Sequence, residues 1–160
     1  MRYDLCVYRK RKRQKTTAAV GTGVRAVGAG KNVLMIQFMK VKELSSEYVV
    51  LSSIKGFDVV SFGREDSYLP EEKLQKKPEL IKMGFKPFSE TDYRLAEEGI
   101  EYLKNAVKSE KYQIVILDEI CVALHYRLIS EEKIKSIILN NRESKYQILY
   151  LQEDTVPSGL

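Results

Sequence analysis

Residues 15–40 read KTTAAVGTGVRAVGAGKNVLMIQFMK, and the two halves of that stretch decide the fold. The first half, Thr16 to about Gly28, favours a helix with Ala18, Ala19, Val20, Val24 and Val27 on one apolar side. Its small residues, Ala18, Ala19, Gly21 and Gly23, suit close packing on a sheet. Gly28 and Gly30 stop the helix and turn the chain. The second half, Val33 to Phe38 (VLMIQF), is a near-continuous apolar run of strand length, as expected for a strand covered on both faces.

The pattern continues on either side. Asp4 to Tyr8 (DLCVY) reads as a short buried strand, followed by a basic run. Val41 to Lys55 leaves helix and strand open. Phe57 to Phe62 (FDVVSF) reads as a strand. Gly63 to Pro87 shows no clear period and is expected to be a long functional or mobile loop region. Ser89 and Asp92 flank the start of a helix running to about Ser109, with Ala96, Ile100, Leu103 and Val107 at helical spacing. Tyr112 to Leu117 (YQIVIL) is the most strand-like run and ends on Asp118-Glu119. Ser130 caps a further helix with Ile134, Ile137 and Ile138 inward, and Tyr146 to Leu151 forms a last strand. Strands alternating with helices predict an α/β fold with a mainly parallel sheet flanked by helices. Ligands in such sheets bind beyond the carboxyl ends of the strands, here after Tyr8, Phe38, Phe62 and Leu117.

The chain has 160 residues, 44% hydrophobic and 31% charged, enough for one domain spanning residues 1–160 with its own core. No apolar run approaches the roughly 20 residues that cross a bilayer, and no signal-peptide pattern opens the chain. Cys6 and Cys121 lie in apolar surroundings, as expected of buried thiols in a reducing, cytoplasmic setting. One histidine, His125, cannot build a His-rich zinc site and is expected at the core edge or the surface. The net charge is +5, but Arg9, Lys10, Arg11, Lys12, Arg13 and Lys15 supply six positive charges. Removing those six from the 27 basic residues leaves 21 against 22 acidic ones, so the excess is local. A nucleic-acid groove spreads its cations over a face, which makes nucleic acid an unexpected partner. Binding of nucleic acid by the basic run alone is the rival reading.

Two features occupy the carboxyl ends of strands. Lys15-Thr16-Thr17 opens a helix, and Asp118-Glu119 follows IVIL. Lysine then hydroxyl at a helix start is the second half of a phosphate-binding loop, where backbone N–H groups and the ammonium face phosphate. The hydroxyl can ligate Mg²⁺, and the acidic pair after a buried strand supplies a carboxylate on the metal side. The pair would serve a P-loop kinase or RecA-like ATPase equally well. The first half of such a loop needs glycines with positive φ, yet residues 9–14 are Arg-Lys-Arg-Lys-Arg-Gln.

Lys15 to Lys40 resembles the N-terminal signature of the P-loop cob(I)alamin (corrinoid) adenosyltransferases, approximately V-Y-T-G-x-G-K-G-K-T-T-A-A-x-G, then R-A-x-G-x-G and V-x-x-x-Q-F-x-K. IVILDEICVAL, Ile114 to Leu124, is similar to the family's acidic strand. The resemblance implies a P-loop (RecA-like) architecture and transfer of the 5′-deoxyadenosyl group of ATP to reduced cobalt in cobalamin biosynthesis or salvage. It implies ATP contacts from Gln14, Lys15, Thr16 and Thr17, and a Mg²⁺ or Mn²⁺ site from Thr16, Asp118 and Glu119. Phe62 is the nearest match to an aromatic residue beside the corrin. No side-chain base is required. ATP and a reduced corrinoid are the implied partners, with a reductase supplying Co(I) and a homodimer expected.

The chain departs from that pattern in two main places, the loop at residues 9–14 and the C-terminus, and in smaller ones. It has no tryptophan, Val41 stands where a glycine often follows the lysine, and the end QILYLQEDTVPSGL lacks the family's threonine-glycine-arginine. The chain therefore reads as lacking the family's C-terminal end. Gly-Lys-Gly-Lys-Gly-Lys written GGA AAA GGA AAA GGC AAA becomes AGG AAA AGG AAA AGG CAA when an A precedes it and the register shifts. That is Arg9 to Gln14. Similarly, TTA CAG GAA GAT ACG GTC for Leu151 to Val156 contains ACA GGA AGA TAC GGT, or Thr-Gly-Arg-Tyr-Gly. Both departures are therefore expected to be displaced reading frames, with glycines belonging at positions 10, 12 and 14.

Overall fold

A computed structural model describes residues 6–8, 15–140 and 147–152, with side chains from residue 16 to residue 140. The elements in chain order are β1 (Cys6–Tyr8), α1 (Lys15–Gly28), β2 (Val33–Phe38), α2 (Ser46–Leu51), β3 (Phe57–Phe62), β4 (Tyr68–Leu69), α3 (Glu71–Lys76), α4 (Pro78–Lys82), β5 (Lys86–Pro87), α5 (Glu90–Lys108), β6 (Ile114–Asp118), α6 (Ile120–His125), α7 (Glu131–Asn140) and β7 (Gln147–Gln152). Among the described residues five strands form one parallel sheet in the order β1-β7-β6-β2-β3, with β4 and β5 pairing separately. This is the α/β fold of a P-loop NTPase type.

Burial on both faces explains why β2 carries almost no polar residue. All six of its side chains are buried, and alternate ones serve opposite layers. Val33 and Met35 join Ala19 and Val27 of α1 and Leu51 of α2. Leu34, Ile36 and Phe38 join Ile100 and Leu103 of α5, Cys121 of α6 and Ile134 of α7. Two glycines set the helix–sheet distance. A Cβ on Gly23 would stand 2.6 Å from the Phe57 ring, and one on Gly99 would stand 2.6 Å from the Phe38 ring. The helices lie close to the sheet because those positions carry no side chain.

Local signals place the helix ends. Ser89 and Asp92 form a capping box at the start of α5. The Ser130 hydroxyl accepts from the Lys133 N–H at 3.4 Å at the start of α7, where Ile134 and Ile137 are buried and Ile138 partly so. Gly30, at φ 75°, takes the left-handed turn after α1. Val24 is 40% exposed, so it does not belong to the apolar side of α1. Cys121 is buried and His125 exposed, as expected, whereas the Cys6 side chain lies outside the described atoms.

The structure corrects the expectation of a long loop over 63–87. That stretch folds into β4, α3, α4 and β5, and it buries Tyr68 and Leu74. Helices of six and five residues and strands of two are too short to show a period. Arg64 fastens the segment: its guanidinium donates to both oxygens of Asp92 at 2.7 and 3.0 Å and to the Pro87 carbonyl at 3.0 Å. The open stretch 41–55 resolves into a short 3₁₀ turn, Lys42–Leu44, followed by α2. Among the described residues no helix is long and apolar enough to cross a membrane.

Candidate active site

The strand order fixes where a ligand belongs. From β2 the chain moves outward to β3, whereas from β6 it moves the opposite way to β7, and β2 and β6 are neighbours. The crevice beyond the carboxyl ends of β2 and β6 is therefore the switch point of the sheet. Sharp turns leave both strands there. Met39 and Glu119, the residues that follow β2 and β6, hold left-handed backbone at φ 57° and 60°. Such a conformation costs a non-glycine residue about 1–2 kcal/mol.

A polar cluster fills the crevice. Asp118, at the end of β6, is 1% exposed, yet its carboxylate is well supplied. Its Oδ1 accepts from the Thr16 hydroxyl at 3.1 Å. Its Oδ2 accepts from the Lys40 ammonium at 2.7 Å and from the Gln37 amide at 3.3 Å. Thr16 stands in the first turn of α1, so this bond ties the helix start to the acidic strand across 102 residues of sequence. Gln37 is fully buried and held on both ends of its amide. Its oxygen accepts from Ser61 at 3.0 Å and Ser45 at 3.4 Å, and its nitrogen also reaches Glu47 at 3.1 Å.

Charge accumulates around Lys40. Burial disfavours its ammonium, but the charge and hydrogen bond of Asp118, then Glu47 and Glu119, outweigh that and raise its pKa. Burial also pushes Glu47 up. Its own backbone N–H, the Lys40 charge and the Ser45 hydroxyl reverse the effect and leave it lowered. Gly63 permits the arrangement, since a Cβ there would stand 2.4 Å from the Lys40 amide nitrogen.

Beside the cluster opens a cleft of about 400 Å³. Lys40 and Glu47 line it together with Arg64, Tyr68 and Phe85. Arg64 lies over the Tyr68 ring at 4.7 Å. Burial first, then the nearby Asp92 charge, pushes the Tyr68 hydroxyl up to about 12.

A buried acid tied to a hydroxyl at a helix start, at the switch point of a parallel sheet, is a nucleotide-site arrangement. A family profile described as ATP:corrinoid adenosyltransferase BtuR/CobO/CobP matches residues 4–150. The chain belongs to that family. No curated protein matches it. For an ATP:corrinoid adenosyltransferase the substrates are ATP and a corrinoid.

Against that family, the expected site residues fall into three groups. Thr16 and Asp118 meet directly, and Glu119 follows on the next residue at the start of α6. Thr17 is exposed one residue further along α1, Lys15 opens that helix with its side chain outside the described atoms, and Gln14 lies outside the described residues. So do Arg9 to Arg13 of the basic run and residues 153–160. Phe62 lies apart from the cleft lining. Its ring packs 5.8 Å from Tyr102 and against Gly99 of α5. Arg25 is exposed in the last turn of α1, away from the crevice.

The resemblance implies a divalent ion at this crevice. Among the described residues no three His, Cys, Asp or Glu side chains gather into a ligand set. One buried carboxylate, a hydroxyl and an adjacent acid make an oxygen-only set. That suits Mg²⁺, which is held by one or two carboxylates together with substrate phosphates and water. The residues fit the ion. Missing from the sequence-based list were Gln37, Lys40 and Glu47. The available signals were a glutamine inside VLMIQF, a polar side chain in a strand buried on both faces, and the Q-F-x-K end of the family signature, which falls on Gln37 and Lys40.

Proposed function

We propose that this adenosyltransferase moves the 5′-deoxyadenosyl group of ATP to the reduced cobalt of cob(I)alamin or a related corrinoid. The Thr16–Asp118 hydrogen bond at the switch point carries the proposal, because it joins the phosphate end of a nucleotide site to its acidic strand. Reduced cobalt attacks the C5′ carbon, the C5′–O bond breaks, and the triphosphate leaves with the bonding electron pair. The nucleophile arrives as Co(I), so the protein's task is positioning and stabilisation of the leaving charge. Mg²⁺ or Mn²⁺, when bound, neutralises phosphate charge.

In this reading Thr16 and Asp118 orient the metal side of the triphosphate, with Glu119 as the second acid. Lys15, Thr17 and Gln14 contact the phosphates. The cleft lined by Lys40 receives the acceptor, and Phe62, packed against α5, stays outside it. Arg64 holds the 63–87 segment over the cleft as the cover that keeps water from Co(I). A separate reductase supplies Co(I), and the protein acts as a homodimer in the cytoplasm within cobalamin biosynthesis or salvage. Residues 1–160 act as one P-loop α/β domain.

The test is product analysis with ATP, Mg²⁺ and chemically reduced cobalamin, on the given chain and on one with glycine at positions 10, 12 and 14. The glycine-bearing chain should yield adenosylcobalamin and inorganic triphosphate in equal amounts, and the given chain much less. ADP and phosphate without adenosylcobalamin would assign the site to a kinase or ATPase instead.

A further inference from the structure

Asp118 carries a cation already. Its carboxylate is 1% exposed, and the Lys40 ammonium sits 2.7 Å from Oδ2 on the side open to the crevice. Thr16 occupies the other oxygen. Any divalent ion that takes Asp118 as a ligand must share or take over the position of that ammonium. Lys40 has somewhere to go: Glu47 Oε1 lies 3.4 Å from Nζ, and both residues line the cleft. The backbone is built for this placement. Met39 takes the left-handed turn that swings Lys40 back over β6, and Gly63 lets the β3 end pass against the Lys40 backbone.

We propose that Lys40 is a positioning residue that serves as a tethered stand-in for the divalent ion, neutralising Asp118 until metal displaces its ammonium towards Glu47 and the cleft. The inference rests on the proposed nucleotide–metal reading of the crevice. Metal binding is then a competition, and an internal cation lowers apparent metal affinity by its own occupancy of the site. It also ties the two substrates together. Arrival of the metal at the β6 end delivers a positive charge to the wall of the acceptor cleft, 78 residues away in sequence from Asp118.

Mn²⁺ alone is the probe, titrated into the full chain while the electron paramagnetic resonance of free Mn²⁺ is followed. Thermal unfolding is recorded with and without the ion. Lys40→Met and Lys40→Gln should each bind Mn²⁺ at least tenfold more tightly than the parent. They should also melt lower without metal and recover more of that loss when it is added. Lys42→Met removes an exposed positive charge two residues away and should change the affinity less than twofold. A merely structural Lys40 would lower the melting temperature and leave Mn²⁺ affinity unchanged or weaker, which overturns the proposal. So does equal tightening by Lys42→Met, since it would reduce the effect to net charge. Asp118→Asn separates the two levels. If it leaves Mn²⁺ binding of the parent and of Lys40→Met unaltered, the metal reading of the crevice itself fails. If it abolishes binding while Lys40→Met shows no gain, only the stand-in role fails.

Discussion

The two ends of the sheet each hold a lysine–aspartate pair of nearly equal length. Beyond the carboxyl ends, Lys40 and Asp118 meet at 2.7 Å with the aspartate side chain 1% exposed. At the opposite end, Lys111 and Asp58 meet at 2.6 Å with side chains 58% and 44% exposed. The chemistry is the same and the surroundings differ. Water screens the outer pair, so it contributes little, and Asp58 keeps a further donor in the Tyr112 hydroxyl at 2.6 Å. In the inner pair the aspartate is shut off from solvent while Lys40 keeps 27% of its side chain exposed, so loss of the lysine leaves the Asp118 charge buried. An ion pair of ordinary geometry gains energetic weight through desolvation of its carboxylate.

That contrast can be broken by substitution. Lys40→Met should lower unfolding stability by about 3 kcal/mol in the absence of metal, because Asp118 keeps only neutral donors. A shift in the urea midpoint at unchanged slope would measure it. Gly63→Ala should cost about 2 kcal/mol, since its Cβ overlaps the backbone of Lys40 and the chain must shift. Asp92→Ala comes next at about 1–2 kcal/mol. It opens the α5 capping box and strips Arg64 of both its bonds to Asp92, leaving only the one to Asp66 among its carboxylate bonds, and thermal unfolding reads the loss.

Asp58→Asn should have the smallest effect, about 0.5 kcal/mol after solvent screening. Its sign is set by pH. Hydrogen bonds from Lys111, then Tyr112, hold the Asp58 pKa below its usual value. The contribution is therefore full above the unfolded pKa of about 3.9 and fades as pH falls through the lower folded value. Urea midpoints of parent and variant should differ at neutral pH and converge in strong acid.

Particular residues explain how far the sequence carried. β2 was legible because burial on both faces forces a continuous apolar run, and α5 because Ser89, Asp92 and a helical apolar stripe mark its start and its face. Thr16 and Asp118 were legible as a pair because a helix start and a strand end follow from local pattern. Lys40 and Glu47 were not. Their roles depend on a left-handed turn at Met39 and on which strands become neighbours, and neither is written in local periodicity. The short elements between Gly63 and Pro87 escaped for another reason. They are held by Arg64 and by Tyr68 packing against Phe88 at 5.4 Å, contacts that reach outside their own segments.

The most direct test is calorimetric titration of ATP with Mg²⁺ into the chain bearing glycine at positions 10, 12 and 14, compared with its Asp118→Asn and Asp58→Asn derivatives. Loss of affinity by tenfold or more for Asp118→Asn, with Asp58→Asn unchanged, is the predicted result. Equal affinity in all three proteins would contradict a nucleotide–metal site at the switch point.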